Sequence, residues 1–253
     1  MSVFEFVFSP TGGTKNVSSA ICEVLGANVQ TFDLMDRSID FSAINIASDD
    51  LCVVAVPSFG GRVPAPAVSH LAQLKGNGAS AVLVVVYGNR AYEDTLIELQ
   101  DTLDAAGFKC IAAAAAIAEH SVMHQFAANR PDAQDIEELQ NFGKKVLALV
   151  QTPSDVSLSL PGNRPYKEFG GLPLKPDVDD SCGMCGLCAA SCPVGAIPSS
   201  NPSITDKEAC ITCMSCIKVC PNHSRSLNED IVAAFTAKLA PICSDRKKNE
   251  FFT

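Results

Sequence analysis

Short apolar runs alternate with longer segments of helical spacing over the first 150 residues of the chain. Most of these runs are continuously apolar, which is typical of strands buried on both faces of a parallel sheet. They are VFEFVF from Val3, ANVQTFDL from Ala27, DLCVVAVP from Asp50, SAVLVVVYG from Ser80 and FKCIAAAAAIA from Phe108. Since helical segments separate them, the pattern predicts an α/β domain with a five-stranded, doubly wound parallel sheet over residues 1–152.

The segments between the apolar runs carry helix start and stop signals. Residues 91–107 place apolar side chains at helical spacing before a terminal glycine, and residues 131–151 open with proline and acidic residues and carry lysines toward their end. In a doubly wound sheet the ligand lies beyond the carboxyl ends of the strands. The loops that follow the strands are therefore the candidate site.

The pattern changes after residue 152. Residues 153–180 are punctuated by prolines and glycines, which predicts either a linker or an extended wrapping segment. Residues 181–226 form a cysteine-rich module, and residues 227–253 predict a helix and tail, with Ser226 and Glu229 at capping-box spacing. The final DRKKNEFF is expected to be a solvated terminus.

Charge and hydropathy exclude some functions. The first 160 residues carry the whole net charge of −9, and an acidic chain without clustered Lys and Arg disfavours nucleic-acid binding. No apolar run reaches the ~18 residues that cross a bilayer. The N-terminus also lacks the basic region and cleavage site of a signal peptide. We therefore expect a cytoplasmic protein without a membrane span.

Eight of the 12 cysteines form two copies of one pattern. The pattern Cys-x2-Cys-x2-Cys-x3-Cys-Pro begins at Cys182 and recurs 28 residues later at Cys210. In a cytosolic protein such density indicates metal binding rather than disulfides. Structural zinc is the alternative, but zinc usually takes two separated ligand pairs, so the repeated triple spacing favours iron–sulfur clusters. Cys22, Cys52 and Cys110 are expected to be buried thiols, and Cys243 could be exposed.

This repeat resembles the bacterial ferredoxins that carry two [4Fe–4S] clusters. The resemblance implies that three cysteines of one run and the fourth cysteine of the other run hold each cluster. It assigns Cys182, Cys185, Cys188 and Cys220 to one cluster, and Cys210, Cys213, Cys216 and Cys192 to the other.

A glycine loop, SPTGGT, stands between the first predicted strand and the first helix. Its hydroxyls can donate to a phosphate, its glycines let backbone amides point inward, and a helix N-terminus attracts anions. It resembles the phosphate loop of flavodoxins, although the family's usual asparagine before the last threonine is a glycine here. The expected phosphate contacts are Ser9, Thr11, Gly12, Gly13 and Thr14.

Two further loops, PSFGGRVP from Pro57 and YGNRAYED from Tyr87, follow the third and fourth strands. In a flavodoxin these loops hold the isoalloxazine ring, so the resemblance implies FMN binding by their glycines, aromatic rings and Asn89. The residues concerned are Ser58, Phe59, Gly60, Gly61, Tyr87, Gly88, Asn89, Arg90 and Tyr92. A fold without flavin, or glycines that only make turns, is the alternative.

Two pairs of side chains near these loops have open roles. Arg62 and Arg90 either stabilise an anionic reduced flavin or bind solvent or a nearby acid. His120 and His124, after the fifth strand, either supply a proton or are surface or capping histidines.

The whole chain resembles the fused flavodoxin–ferredoxin proteins of anaerobes. The resemblance implies an electron-transfer flavoprotein that passes electrons between two [4Fe–4S] clusters, FMN and external redox proteins, either ferredoxin-type carriers or flavoenzymes. One alternative is an FMN-dependent reductase of a small molecule, fed through the clusters, with His120 or Tyr92 as proton donor. Another is a metal module without redox activity that binds partners.

Overall fold

The computed structural model describes residues 1–151 and 158–253. Five strands pair in parallel in the order β2-β1-β3-β4-β5, and this order confirms the predicted flavodoxin-like sheet. They are β1 (Val3–Val7), β2 (Val29–Asp33), β3 (Leu51–Pro57), β4 (Ser80–Tyr87) and β5 (Lys109–Ile117).

Helices cover both faces of this sheet. Helices α1 (Gly13–Cys22) and α4 (Ala133–Gln151) lie on one face, and α2 (Ala65–Leu71) and α3 (Thr95–Ala105) lie on the other. A single 3-10 turn, Phe41–Ala43, follows β2. Neighbouring strand residues such as Val53 and Val54 are both fully buried, but each packs into a different one of the two apolar layers. This explains why the strands are continuously apolar instead of alternating.

A sixth strand, β8 (Glu250–Phe252), pairs antiparallel with β5. The expectation of a solvated terminus is therefore wrong for these residues. The tail is held because Asn249 accepts a hydrogen bond from the Ile117 N–H (3.0 Å) and Phe251 stacks on Phe142 with ring centroids 5.0 Å apart. The free edge that β5 would otherwise expose is a physical reason for this pairing.

The Pro/Gly-rich segment wraps around the sheet domain wherever the structure describes it, from residue 158 onward. The backbone N–H groups of Asn163 and Lys167 donate to the Asp94 carboxylate at 2.8 and 2.7 Å. Leu158 and Leu174 are buried. The wrapping alternative therefore describes this part, while the expected boundary between residues 152 and 153 lies outside the described residues.

The cysteine module keeps its 28-residue repeat in three dimensions. Helices α5 (Leu187–Ala190) and α6 (Ser215–Lys218) occupy equivalent positions, and β6 (Asp177–Val178) pairs antiparallel with β7 (Arg225–Ser226). Left-handed backbone conformations also recur at equivalent positions. The pairs are Met184 and Thr212, Gly186 and Met214, and Gly195 and His223.

The last helix, α7 (Glu229–Cys243), begins after Asn228, whose side chain accepts a hydrogen bond from the Ile231 N–H at 3.1 Å. The predicted capping box is wrong because Ser226 belongs to β7. Within the described ranges, no helix is both long and apolar enough to cross a membrane.

Candidate cofactor sites

A cavity of about 520 Å³, called here the central cavity, opens at the carboxyl ends of the parallel strands. Its walls come from the glycine loop, the two later strand-following loops, the turn after β5, the wrapping segment, a cysteine loop and α7. The structure therefore brings together segments that are more than 200 residues apart in the chain. The sequence-predicted residues that line it are Thr11, Gly13, Thr14, Ser58, Phe59, Gly60, Tyr87, Gly88 and Arg90.

The glycine loop has the geometry of an anion site. Gly12 adopts a left-handed conformation (φ +97°), precedes α1 and has no side chain that could cap the helix, so the N–H groups of Gly13 and Thr14 at its start are not covered by an N-cap side chain. Ser9 Oγ accepts the Lys15 N–H at 2.9 Å and closes the loop from behind. Ser9 and Gly12 thus shape the loop without lining the central cavity, and the loop fits a phosphate.

Three other predicted flavin residues lie outside the lining of the central cavity. The Asn89 side chain is buried and donates to the carbonyls of Cys243 and Asp245, both at 2.7 Å. Tyr92 donates to Glu250 at 3.1 Å. Gly61 faces the Glu93 side chain, whose carboxylate oxygen would lie 2.0 Å from an added Cβ. The Asn89 and Tyr92 side chains therefore fasten the C-terminal tail instead of facing the cavity.

The two arginines both bind carboxylates. Arg62 makes a bidentate pair with Glu98 at 2.7 and 2.8 Å and is outside the cavity lining. Arg90 pairs with Glu93 at 2.8 Å while also lining the central cavity. The acid-binding alternative thus describes Arg62. Arg90 binds an acid and also faces the central cavity.

His120 lines the central cavity with its ring against Gly88. Its Nδ1 accepts the N–H groups of Val122 (3.2 Å) and Met123 (3.1 Å), which places a proton on Nε2 in the neutral ring. Burial is the main cause that lowers the pKa of His120 to about 4. A neutral imidazole N–H is a hydrogen-bond donor, not an effective acid, so this geometry does not favour His120 as a proton source. His124 is exposed and lies outside the lining.

Several lining residues of the central cavity had no sequence assignment. The Phe169 ring packs over Gly60, where an added Cβ would lie 2.2 Å from it, and Phe235 and Leu239 of α7 form part of the wall. The apolar spacing of α7 was a usable signal. Phe169 offered none, since a single aromatic in a Pro/Gly-rich segment does not indicate its contact.

Four cysteines, the first quartet, surround a cavity of about 230 Å³. Four others, the second quartet, surround a cavity of about 20 Å³. The first quartet is Cys182, Cys185, Cys188 and Cys220, and the second is Cys192, Cys210, Cys213 and Cys216. Across residues 1–151 and 158–253, no three His, Cys, Asp or Glu side chains are grouped as the ligands of a single metal ion would be.

The second quartet also touches the central cavity. Cys213 lines both cavities, and its neighbours Ile211 and Thr212 complete the wall on the central side. Beside the first quartet, the apolar side chains of Met184 and Leu187 are each 50% exposed, and Cys185 itself is exposed. The two quartets therefore have different surroundings, one against the central cavity and one against solvent.

Residues 6–130 match the family model of flavodoxin, and residues 204–225 match the model of the 4Fe-4S binding domain. The chain thus carries a flavodoxin domain in its N-terminal half and a 4Fe-4S binding motif near its C-terminus, as a flavodoxin–ferredoxin fusion does. The flavodoxin fold implies FMN, and the 4Fe-4S motif implies a [4Fe–4S] cluster. Together they define a redox protein of the electron-transfer class.

Among solved structures, flavodoxins are similar to part of this chain. The flavodoxin of Streptococcus pneumoniae TIGR4 is 19% identical over 58% of this chain and 99% of its own, with a TM-score of 0.43. The FMN-bound flavodoxin of Fusobacterium nucleatum is 14% identical over 58% and 96%, with a TM-score of 0.38. No curated protein matches the chain.

Proposed function

We propose that this chain transfers electrons between an external redox protein and FMN in the central cavity, by way of two [4Fe–4S] clusters. The single observation that carries the proposal is the position of Cys213, which lines both the second-quartet cavity and the central cavity. A redox centre held by this cysteine would adjoin the flavin site directly. FMN can exchange one or two electrons and each cluster one, so their combination joins single-electron carriers to a two-electron store.

The proposed FMN contacts follow the cavity lining. The start of α1 with Thr11, Gly13 and Thr14 would hold the phosphate, because its N–H groups and hydroxyls are donors. The loops that carry Gly60 and Gly88 would hold the ring through their main chain. Ser58, Phe59, Tyr87 and Arg90 also line this part of the cavity. Ser9, Gly12, Gly61, Asn89 and Tyr92 would act by shaping these loops.

The proposal of two clusters depends on the repeat. The matched 4Fe-4S motif covers only the second cysteine run, from Cys210 to Cys220. The first run has the same spacing, the same short helix and the same left-handed positions, and its first three cysteines surround a cavity together with Cys220. This equivalence supports a cluster at each quartet.

The different surroundings of the two quartets favour one order of electron transfer. Cys185 is exposed beside Met184 and Leu187, so an external redox protein can approach the first quartet. The second quartet instead adjoins the central cavity through Cys213, and α7 and Phe169 form part of the wall of that cavity. We therefore place the first quartet at the outer end of the path and the second quartet next to the flavin.

The test compares two serine variants at equivalent repeat positions, Cys185→Ser and Cys213→Ser. Anaerobic protein should contain about eight irons and one FMN per chain. Reduction of the bound flavin by a reduced ferredoxin should slow at least tenfold in both variants, while each retains its FMN. Fewer than eight irons in the wild type, or unchanged flavin reduction in both variants, would contradict the proposal.

The reductase alternative is tested in the same preparation. Steady turnover of small-molecule acceptors at the flavin, faster than reoxidation by a redox protein, would favour the enzyme. A His120→Ala variant then reports whether the ring contributes to that turnover.

A further inference from the structure

The cysteine module departs from its own repeat beside the fourth cysteine of each run. The first run continues Cys192-Pro with Ala196 and Ile197, whereas the second continues Cys220-Pro with Ser224 and Arg225 at the equivalent positions. Ile197 is 4% exposed and Arg225 is 2% exposed. A buried aliphatic residue in one half of the module is thus replaced by a buried cation in the other half.

Within residues 1–151 and 158–253, the hydrogen-bond partners of the Arg225 guanidinium are neutral oxygens. It donates to Thr205 Oγ1 at 2.8 Å and to the carbonyl of Pro202, with a longer contact of 3.5 Å to the carbonyl of Ile204. In the described part of the chain, no carboxylate lies within salt-bridge distance of it. Burying a cation without a counter-charge is costly, so this position indicates an anion that the polypeptide does not provide.

The position of Arg225 identifies the anion. Arg225 lines the cavity of the first quartet, and the Pro202 carbonyl that it binds also accepts the thiol of Cys188 at 3.8 Å. By contrast, Ile197 lines the cavity of the second quartet. A cluster with four thiolate ligands carries net negative charge, and reduction adds one more. The residues around the first quartet therefore fit a negatively charged group.

A second difference between the two halves of the module also favours negative charge at the first quartet. Ser224 Oγ lies 3.1 Å from Cys220 Sγ, and its hydroxyl can donate to the sulfur. The equivalent Ala196 provides only its backbone N–H, 3.3 Å from Cys192 Sγ. Hydrogen bonds to the ligand sulfurs raise the reduction potential of an iron–sulfur cluster because they stabilise the added charge.

We propose that Arg225 is the counter-charge of the first-quartet cluster and that, with Ser224, it gives this cluster the higher reduction potential of the two. This inference rests on the proposed function, which places a cluster at each quartet. Arg225 and Ser224 are positioning residues here, since they act on the cluster through its surroundings and ligands. The first-quartet cluster would then be reduced before the second-quartet cluster when an external donor supplies electrons.

Two features would raise the reduction potential of the second-quartet cluster as well, but their effect is smaller. The charge of Arg225 also acts on Cys216 of the second quartet, but Arg225 lines the first-quartet cavity and not the second. Lys175 binds the Cys210 carbonyl and Thr212 Oγ1 near the second quartet, but it is partly exposed and outside that cavity's lining. Solvent screens a partly exposed charge more than a buried one.

The first test needs no change at Arg225. An anaerobic redox titration of the intact protein, followed by electron paramagnetic resonance, should resolve two one-electron cluster steps. Cys185→Ser should abolish or alter the step at higher potential, and the matched Cys213→Ser should affect the step at lower potential. The reverse assignment, or coincident steps, would overturn the inference.

The second test changes the charge. At the wild-type midpoint of the higher step, Arg225→Ile should lower the reduced-to-oxidised ratio of that cluster about tenfold, which for one electron corresponds to ~59 mV. Arg225→Lys should stay within about threefold, and Ser224→Ala should show a smaller decrease than Arg225→Ile. If Arg225→Ile keeps eight irons and the reduced-to-oxidised ratio of this cluster stays at the wild-type value, this inference is overturned and the proposed function is not. A wild type with only four irons would overturn the proposed function and this inference with it. If Arg225→Ile loses a cluster, the titrations of Cys185→Ser and Cys213→Ser decide whether the inference holds.

Discussion

Asp94 is the anchor that holds the wrapping segment against the central cavity, and its removal is a sharp test of that role. The carboxylate is 1% exposed and accepts three hydrogen bonds. They come from the backbone and side chain of Asn163, at 2.8 and 3.0 Å, and from the Lys167 N–H at 2.7 Å. Two residues further on, Phe169 packs over Gly60. Asp94→Ala should therefore release the segment and expose the cavity.

The structure sets the magnitude. Hydrogen bonds to a charged group contribute about 1.5–3 kcal/mol each, but the released donors lie in an exposed segment and can bind water. We therefore expect the free energy of local opening to fall by about 3 kcal/mol in Asp94→Ala, less than the three bonds would sum to. Burial of Asp94 raises its pKa, but the hydrogen bonds from Lys167 and Asn163 outweigh this, and the net pKa is lowered. This contribution is thus present above the ordinary pKa of 3.8 and is lost as the pH falls below it.

Limited proteolysis measures the opening. Endoproteinase Lys-C cleaves after Lys167, and 3 kcal/mol corresponds to cleavage faster by on the order of a hundredfold when opening precedes cleavage. The matched control is Asp101→Ala, which removes a more exposed carboxylate bound to Arg164 and Tyr166 and should accelerate cleavage less than about tenfold. Equal cleavage of wild type and Asp94→Ala would refute the anchoring role.

Three further changes test other parts of the site. Asn89→Ala removes two hydrogen bonds to the tail carbonyls of Cys243 and Asp245 and should lower the free energy of unfolding by about 2–4 kcal/mol, so an unchanged urea midpoint would contradict this contact. Gly60→Ala would place a methyl group 2.2 Å from the Phe169 ring at a φ of +61°, and it should weaken FMN binding in fluorescence titration, whereas Gly170→Ala, with open space around it, should not. Because the pKa of His120 is lowered to about 4, the unfolded chain binds the extra proton between pH 6.5 and 4, and stability falls as the pH drops through that range. His120→Asn should flatten this part of the stability–pH curve, and an unchanged slope would show that the ring is not the cause.

The periodic parts of the chain were predictable because their structure follows from local pattern. The run from Asp50 predicted a buried strand, and β3 spans Leu51–Pro57. The segment 131–151 predicted a helix, and α4 spans Ala133–Gln151. Continuous apolar runs need cover on both faces, which only a parallel sheet with helices on both sides provides. The strand order then placed the loops with Gly60 and Gly88 at one edge of the sheet.

Single polar residues in loops were less predictable, because their partners come from distant parts of the chain. Asn89 lies in a flavin-type loop, yet its amide binds the tail more than 150 residues away. Ser226 had the right spacing for a helix cap but was already paired in β7. The composition of a loop indicates what it can bond, and packing decides which bond forms.

The sequence by itself determined the sheet domain, the glycine loop before α1 and the two cysteine runs, because spacing along the chain encodes strands, helix starts and repeated loops. Only the tertiary structure decided that the tail becomes a sixth strand, that Phe169 covers Gly60, and that Cys213 lies between the second quartet and the central cavity. These contacts join segments whose separation in sequence carries no periodic signal. They form because a free sheet edge, an open cavity and buried polar groups each require a partner, and folding decides which segment provides it.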